Sequence, residues 1–173
     1  PHDAIAAGIG YIPEDRKNEG AFLEFPIDWN ISIMSLRRLS KNMVVIVRQI
    51  DELAASFQKK LGIKTPSLKQ YVKNLSGGNQ QKVVVAKTLA TNSSIIIFDE
   101  PTRGIDVGAK QEIYQLMNTL VEQGISIIMI SSEMEELIGM SDRIIVMHEG
   151  TVSGELRKED FSQNKILEYA SGI

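Results

Sequence analysis

The sequence predicts an α/β fold built around a mainly parallel sheet. Two apolar runs, 95–98 and 125–130, have the length and composition of buried strands. Between them, five apolar residues recur at helical spacing: Ile113, Leu116, Met117, Leu120 and Val121. A strand, a helix and a second strand in this order form a right-handed crossover, which makes the two strands parallel.

The first 39 residues are predicted to contain one strand and one helix. Residues 9–13 form a short strand that a proline ends, and the charged segment 14–20 forms a turn. Asp28 is expected to cap a helix over 29–39. Three aromatic side chains near that cap are expected in the core, namely Phe22, Phe25 and Trp29. The alternative is that part of this aromatic cluster is exposed and docks another protein.

A longer helix is predicted over 44–63. Its apolar residues recur at helical spacing: Val47, Ile50, Leu53, Ala54, Phe57 and Leu61. Gly62 lies where a residue in the left-handed conformation commonly ends a helix. Residues 65–67 form a linker to the next helix. We therefore expect the segment 28–75 to be a helical subdomain inserted into the α/β core.

From Ser76 onward, helices and strands alternate. The helix after Ser76 is apolar on most of its surface and should be deeply packed. Asp106 is expected to cap the next helix, which Gly124 ends. The run 125–130 has the almost unbroken apolar pattern of a parallel strand that is covered on both faces.

The last forty residues are predicted to form four further elements. These are a short helix over 133–140, a strand over 143–147, a second strand over 152–156 that follows a hairpin turn at 148–151, and an amphipathic helix over about 158–170. The apolar side of the last helix carries Phe161, Ile166 and Leu167.

The composition limits the classes of function. The chain has 173 residues, a net charge of −3 and a pI near 5.5, so nothing indicates a nucleic-acid partner. It contains no cysteine, which excludes disulfides, thiol catalysis and cysteine–zinc sites. No apolar run approaches the ~20 residues that a membrane-spanning helix needs. A membrane role is therefore expected to depend on a partner.

A candidate anion site begins at Ser76. Its hydroxyl can accept a hydrogen bond from a first-turn N–H group, and Gly77 and Gly78 leave those N–H groups uncovered by side chains. The polar side chains at 79–81 add neutral donors, and the helix dipole adds partial positive charge. This arrangement suits a terminal phosphate, although a Ser-Gly-Gly before a helix is more often only a turn and cap.

A pair of carboxylates ends the apolar strand at 95–98. Asp99 is placed to orient a hydrated Mg²⁺, and Glu100 to orient or deprotonate a water molecule. Taken alone, such a pair is more often the start of a solvated loop. A phosphate-facing helix start, one helix, and then a strand that ends in two carboxylates is a much more specific combination than either part.

These motifs resemble those of ABC-type ATPases. Residues 75–80 are similar to the signature sequence of that family, residues 95–100 to its Walker B strand with Glu100 in the place of the general base, and residues 104–106 to its D-loop. The closer resemblance is to the second nucleotide-binding half of the double-headed ATPases of bacterial ribose, galactose, xylose and arabinose importers. It covers essentially the whole chain, and three segments carry it: 11–17, 101–110 and 140–144.

The resemblance implies a P-loop NTPase-like sheet with an inserted helical subdomain. Residues 1–27 correspond to the Q-loop region of the α/β core and residues 28–75 to the helical subdomain. Residues 76–157 correspond to the signature helix, the Walker B strand and the rest of the core, and residues 158–173 to a C-terminal helix.

The sequence departs from the family pattern at several positions. Glu14 stands where the Q-loop glutamine senses Mg²⁺ and the attacking water. Ser132 stands at the position of the H-loop histidine, and a serine cannot carry a proton as an imidazole does. Arg103 and Gly104 replace the usual Ser-Ala of the D-loop, which ends at Asp106. No Gly-x-x-x-x-Gly-Lys-Ser/Thr motif occurs, so the Walker A loop is missing from the sequence.

Because ABC sites are composite, the resemblance implies two different roles for the motifs. Four residues of the signature are expected to contact ATP that a partner half holds: Ser76, Gly77, Gly78 and Gln80. Asp99 and Glu100, with Mg²⁺ bound to Asp99 through water, belong to the half-site whose Walker A loop is missing here. The chain alone is therefore expected to be inactive.

The resemblance also implies a gap in the sheet. The strand that leads into the Walker A loop is expected to lie between 125–130 and 143–147. Either these two strands pair directly in this chain, or an open edge recruits a second copy of it.

The expected function is to power the import of a monosaccharide from the cytoplasmic face of the membrane. The expected partners are the N-terminal ATPase half, the transmembrane permease subunits and, indirectly, a sugar-binding protein. One alternative is a degenerate module that supplies the signature helix and docks the permease without hydrolysing ATP. A weaker alternative is the head of an ABC-type DNA-repair ATPase, against which the acidic balance argues.

Overall fold

The computed structural model describes residues 1–172, which form two compact units, Pro1–Ile130 and a second one that begins at Ser131. The helices of the first unit are α1 (His2–Ala6), α2 (Ile27–Ser32), α3 (Val47–Leu61), α4 (Gly77–Leu89) and α5 (Val107–Glu122). Its strands are β1 (Ile9–Ile12), β2 (Ser40–Lys41), β3 (Val44–Val45), β4 (Ile95–Asp99) and β5 (Ser126–Ile130). Within the described residues, no helix is long and apolar enough to cross a lipid bilayer.

The main sheet of the first unit has the order β1-β4-β5, and all its strands are parallel. In register, Ile12 lies opposite Phe98, and Phe98 lies opposite Met129. The predicted α/β fold with a parallel sheet is confirmed.

One face of this sheet is covered by α4, whose residues 83–86 are completely buried as predicted. Ile12, Ile96 and Phe98 on that face are also completely buried. The approach of α4 is close, because a Cβ atom on Gly10 would clash with the side chain of Thr88.

The other face of the sheet is open. Tyr11, Ile128 and Ile130 are about half exposed there, so the prediction that the strand at 125–130 is covered on both faces is wrong. The apolar run reports the hydrophobicity of the strand, not which neighbours cover it. Within residues 1–130, β5 pairs only with β4, which leaves its second edge open. Of the two arrangements considered for this edge, the structure has the open one, and self-association remains a prediction.

The predicted helix over 29–39 is wrong in its bounds. Helix α2 starts at Ile27 directly after Pro26 and ends at Ser32, and a single tight turn over Ile33–Ser35 follows. Asp28 is not its N-cap, because it lies inside the helix. Its fully buried carboxylate accepts hydrogen bonds from the backbone N–H of Trp29 at 2.8 Å and from the Lys69 ammonium at 2.5 Å, so it bonds the first turn and a distant side chain at once.

The predicted helix over 44–63 begins three residues late, because a short hairpin of β2 and β3 precedes it. Asn42 and Met43 at the hairpin tip have positive φ angles of 50° and 64°. The helix ends as predicted, with Gly62 in the left-handed conformation.

The aromatic cluster before α2 is less buried than expected. Phe22 and Phe25 are each 50% exposed, whereas Trp29 is partly buried. The rings of Phe22 and Phe25 meet edge to face with their centroids 5.9 Å apart. Placing both phenylalanines in the core is therefore wrong, and the alternative of a partly exposed cluster fits the structure.

The second unit contains α6 (Met134–Met140), β6 (Arg143–His148), β7 (Thr151–Arg157) and α7 (Gln163–Ser171). The predicted hairpin is confirmed, with positive φ angles at Glu149 and Gly150 in its two-residue turn. Helices and hairpin share a small core of Ile144, Val146, Leu156 and Ile166. Leu167, expected on the apolar side of the last helix, is half exposed.

Candidate functional site

The start of α4 has the form that the sequence predicts, but Ser76 does not cap it through its hydroxyl. Ser76 is exposed at the N-cap position, and its backbone carbonyl accepts the first helical hydrogen bond, from Gln80 N at 2.9 Å. Its hydroxyl oxygen accepts a hydrogen bond from the side-chain amide of Asn79 at 3.0 Å instead of one from a backbone N–H. The hydroxyl is thus held in place at the helix start by a side chain of the same turn.

The other signature residues face the interior to different degrees. Gly77 is partly buried and Gly78 is buried, and a Cβ atom on Gly78 would lie only 2.9 Å from Cβ of Ala109. The second glycine therefore permits the close approach of α4 and α5. Gln80 is 6% exposed, and its side-chain amide donates to the carbonyl of Val72 at 3.2 Å. Its contact with a nucleotide stays a prediction.

Asp99 is the last residue of β4 and is partly buried. The phenol of Tyr11 donates a hydrogen bond to its Oδ2 atom at 2.7 Å. This bond to the carboxylate, aided by desolvation, raises the pKa of Tyr11 above its ordinary value. Sequence reasoning missed Tyr11 as a site residue. The pairing of the strands could have pointed to Tyr11. It lies opposite Ile97 on the neighbouring strand, and Asp99 follows two residues after Ile97 on the same face of the sheet.

Glu100 begins the loop that leads to α5. Its φ angle is 44°, in the left-handed region that non-glycine residues seldom adopt, and its N–H donates to the carbonyl of Ile130 at 2.9 Å. The chain therefore turns sharply directly after Asp99. Such strain is a frequent property of functional positions.

The remainder of that loop is fixed by short-range hydrogen bonds and by burial. Arg103 N donates to the carbonyl of Glu100 at 3.1 Å, and Thr102 is 1% exposed. Asp106 ends the loop, and its carboxylate accepts a hydrogen bond from Ala109 N at 2.9 Å. The prediction that Asp106 caps α5 is confirmed, and its role in a D-loop stays a prediction.

The loop after β1 contacts the loop between β4 and α5. The carboxylate of Glu14 forms an ion pair with the guanidinium of Arg103. Arg16 donates from Nη1 to the carbonyl of Arg103 at 2.7 Å and from Nη2 to the carbonyl of Gly104 at 3.0 Å. Sequence reasoning did not single out Arg16, although it lies in a segment that carries the family resemblance.

The position of Glu14 leads into a small capped turn. Residues Arg16–Gly20 form one helical turn, and the carboxylate of Asp15 accepts hydrogen bonds from the N–H groups of Lys17 and Asn18, each at 3.0 Å. The side chain of Asn18 donates to it as well, and these bonds lower the pKa of Asp15. The charged segment is therefore an ordered turn.

Ser132 lies in the second unit, in the loop before α6, and is exposed. Its neighbour Ser131 hydrogen-bonds through its hydroxyl to Glu136, and Glu133 N donates to the same hydroxyl at 3.0 Å. The H-loop role of Ser132 stays a prediction.

The residues at the end of β4 fit a weakly held divalent cation better than a fully protein-bound one. In the described part of the chain, no cluster of three or more histidine, cysteine, aspartate or glutamate side chains is arranged to hold a metal ion. Mg²⁺ keeps several waters and commonly uses one or two carboxylates together with substrate phosphates. Asp99, already oriented by Tyr11, meets that requirement.

Comparison with known proteins shows to which family the chain is similar. The family model described as "ABC transporter" matches residues 2–103. The ribose import ATP-binding protein RbsA of Oceanobacillus iheyensis is 52% identical over 172 residues, which are 99% of this chain and 35% of that protein. The xylose import ATP-binding protein XylG of Thermoanaerobacter pseudethanolicus is 51% identical over 99% of this chain and 34% of its own length. The chain thus spans about a third of the length of these curated relatives.

Solved structures show the same fold. The ADP conformation of an ATP-binding cassette of an ABC transporter, MJ1267, aligns over 100% of this chain and 72% of its own with a TM-score of 0.77 at 21% identity. A part of the ABC transporter complex cbiONQ, cbiO1 of Clostridium perfringens, aligns over 94% of this chain and 62% of its own with a TM-score of 0.73 at 25% identity.

Proposed function

Because the chain belongs to the ABC transporter family, we propose that it is part of the ATP-hydrolysing motor of a monosaccharide importer. The curated relatives described above are named for ribose and xylose import, which supports a pentose or a similar sugar as the cargo. The motor works at the cytoplasmic face of the membrane. There it is bound to permease subunits, and a sugar-binding protein delivers the cargo to them.

One observation supports this proposal most strongly. The exposed helix start at Ser76 and the loop that begins at Glu100 are linked in one unit, because Arg16 binds the carbonyls of that loop and lies against Gly77. A helix start with small residues binds phosphate through backbone N–H groups and the helix dipole. A strand end with two carboxylates binds the cation and the water of a phosphoryl transfer.

The proposed mechanism gives each residue one role. Ser76 and the N–H groups of Gly77 and Gly78 hydrogen-bond the terminal phosphate of ATP that a partner half holds with its own Walker A loop. In the other half-site, Glu100 orients or deprotonates the attacking water. Asp99 would hold Mg²⁺ through water, and when bound the ion supplies positive charge that stabilises the phosphate oxygens.

The trans role of the helix start is tested by Ser76→Arg in the ATPase assembled with its partner half. A long cationic side chain at an exposed N-cap should block the approach of the phosphate, so steady-state ATPase activity should fall to near background. Ser56→Arg, on the exposed side of α3, is the matched control and should keep wild-type activity. Normal activity of Ser76→Arg would refute the role.

A non-hydrolysing module is a second candidate, and two observations favour it. Glu14, at the expected Q-loop position, is paired with Arg103, and Ser132 stands where the H-loop histidine is expected. Glu100→Gln separates the two candidates. If this half-site hydrolyses ATP, the variant should retain trapped nucleotide here while Glu122→Gln, an exposed control on α5, should not. No trapped nucleotide in this half-site would support the non-hydrolysing module.

A further inference from the structure

We propose that Arg16 is a positioning residue, which ties the loop between β4 and α5 to the start of α4. Arg16 is distant from that loop in the sequence, 87 residues from Arg103 and 88 from Gly104. Its contacts keep the two parts of the proposed site in a fixed relation to each other. The functional part of this proposal rests on the proposed function, and its structural part does not.

The hydrogen bonds of Arg16 require a guanidinium. Its two terminal nitrogens donate to two consecutive carbonyls, those of Arg103 and Gly104, at 2.7 and 3.0 Å. A planar fork with fixed N–H directions can reach two such acceptors at once, whereas an ammonium is a single point donor. Among the described residues, the buried Nε atom of Arg16 has no hydrogen-bond partner. Since leaving a buried donor unpaired is unfavourable, the two carbonyls are what fix the side chain in this position.

Glycines flank the guanidinium on two sides. A Cβ atom on Gly77 would lie 3.0 Å from Nη2 of Arg16, which is tighter than an ordinary contact. Gly104 has a φ angle of 65°, and its Cβ would lie 3.7 Å from Nη1. The first turn of α4 and the 100–106 loop therefore both lie against the same planar group, and small residues permit that.

Glu14 and Arg103 form a second link between the same two loops. Their side chains are 41% and 68% exposed, so the ion pair by itself stabilises little. It does, however, direct the Glu14 carboxylate to Arg103. Both residues lie at positions where the sequence departs from the general ABC-type pattern, and the structure makes them partners.

The hydrogen bonds within the loop connect the position of Arg103 to that of Glu100. Arg103 N donates to the carbonyl of Glu100, whose backbone lies in the left-handed region. Holding the carbonyls at 103 and 104 therefore also holds the turn that presents Glu100. Without Arg16, this loop should fluctuate more and the general base should lose its fixed position relative to α4.

The test uses Arg16→Met and Arg16→Lys in the ATPase assembled with its partner half. Arg48→Met is the matched control, because Arg48 lies on an exposed face of α3 and, among the residues that the structure describes, pairs only with Glu52 one turn away. The first readout is hydrogen exchange of segment 100–106 without nucleotide. Exchange should rise in Arg16→Met, rise less in Arg16→Lys, and stay unchanged in the control. Unchanged exchange in a folded Arg16→Met variant would overturn the proposal.

The second readout is the kinetics of ATP hydrolysis. We expect kcat to fall by about tenfold in Arg16→Met with KM nearly unchanged, since misplacing a catalytic group acts on the transition state. Arg16→Lys should recover part of that loss. A raised KM with normal kcat would contradict a positioning role, because it would indicate direct nucleotide binding. If Ser76→Arg leaves ATPase activity normal, the proposed function fails, whereas faster exchange in Arg16→Met would still establish the structural tie.

Discussion

On one face of the main sheet Ile12, Ile96 and Phe98 are completely buried, whereas on the other Tyr11, Ile128 and Ile130 are about half exposed. Both faces are made by the same apolar strands. The difference lies in the cover, since α4 packs on one face and leaves the other, which carries Asp99, accessible. The covered face holds the unit together, and the open face and its edge are available for binding.

The largest difference between the two faces is expected when one isoleucine on each face is replaced by alanine. Ile96→Ala should lower the free energy of unfolding by about 2–5 kcal/mol, because it leaves a cavity in a fully packed region. Ile128→Ala, at a site that is 53% exposed, should cost less than about 1 kcal/mol. Urea denaturation of the two variants measures the difference. Equal losses would show that the open face is covered in solution.

The two sides of the sheet also differ at the open edge of β5. This strand has five residues without charge or proline, which is the composition of an edge that pairs with another chain. We expect the chain to self-associate as its concentration rises and Ile128→Lys to suppress this, because a lysine on an edge strand opposes its pairing with another chain. Light scattering at several concentrations is the measurement. A chain that is monomeric at all concentrations would rule out this use of the edge.

Helix α4, which covers this face, is joined to α5 by an ion pair whose effect depends on pH. Lys82 and Lys64 donate hydrogen bonds to Glu112, which lower the pKa of that carboxyl below its ordinary value of 4.5. The stabilisation is therefore present above pH 4.5 and is lost as the pH falls through the lowered pKa.

Glu112→Gln removes that link. It should cost about 1 kcal/mol at neutral pH, a value reduced by the exposure of Glu112. The cost should vanish well below pH 4.5. Urea denaturation at both pH values measures it, and a cost that does not depend on pH would exclude an ionic origin.

The smallest expected effect on stability is on the open face, at Tyr11. Tyr11→Phe removes the hydrogen bond to Asp99 and should lower the free energy of unfolding by about 0.5 kcal/mol. Because the pKa of Tyr11 is raised, the bond persists through neutral pH and is lost only as the pH rises through that value. The difference between variant and wild type should thus be present at neutral pH and disappear as the pH rises through the raised pKa of Tyr11. A loss as large as that of Ile96→Ala would contradict the assignment of Tyr11 to the open face.

The local pattern of the sequence predicts much of this structure. The strands β1, β4 and β5, the buried helix α4, the cap at Asp106 and the hairpin turn at 148–151 all follow from hydrophobic periodicity and turn chemistry. These features depend on residues that are close in the chain, so the pattern contains the information that specifies them.

The remainder depends on contacts between distant residues. Asp28 has the properties of an N-cap, but the helix starts one residue before it, and its carboxylate also binds Lys69, 41 residues away. Ile128 has the properties of a buried residue, yet no pattern states what covers its face. Arg16 reads as one charge in a solvated turn, and only the fold brings it to carbonyls 87 and 88 residues away.

In the proposed function, the start of α4 faces a nucleotide that a partner half holds. The chain contains no cysteine, so Ser76→Cys gives it a single thiol at the helix start. In the assembled ATPase, an ATP analogue with a thiol-reactive group on its terminal phosphate should label that thiol. Labelling should be lost when the Walker A lysine of the partner half is removed, and the Ser56→Cys control should stay unlabelled. Labelling that is independent of the partner half, or no labelling at all, would contradict the claim.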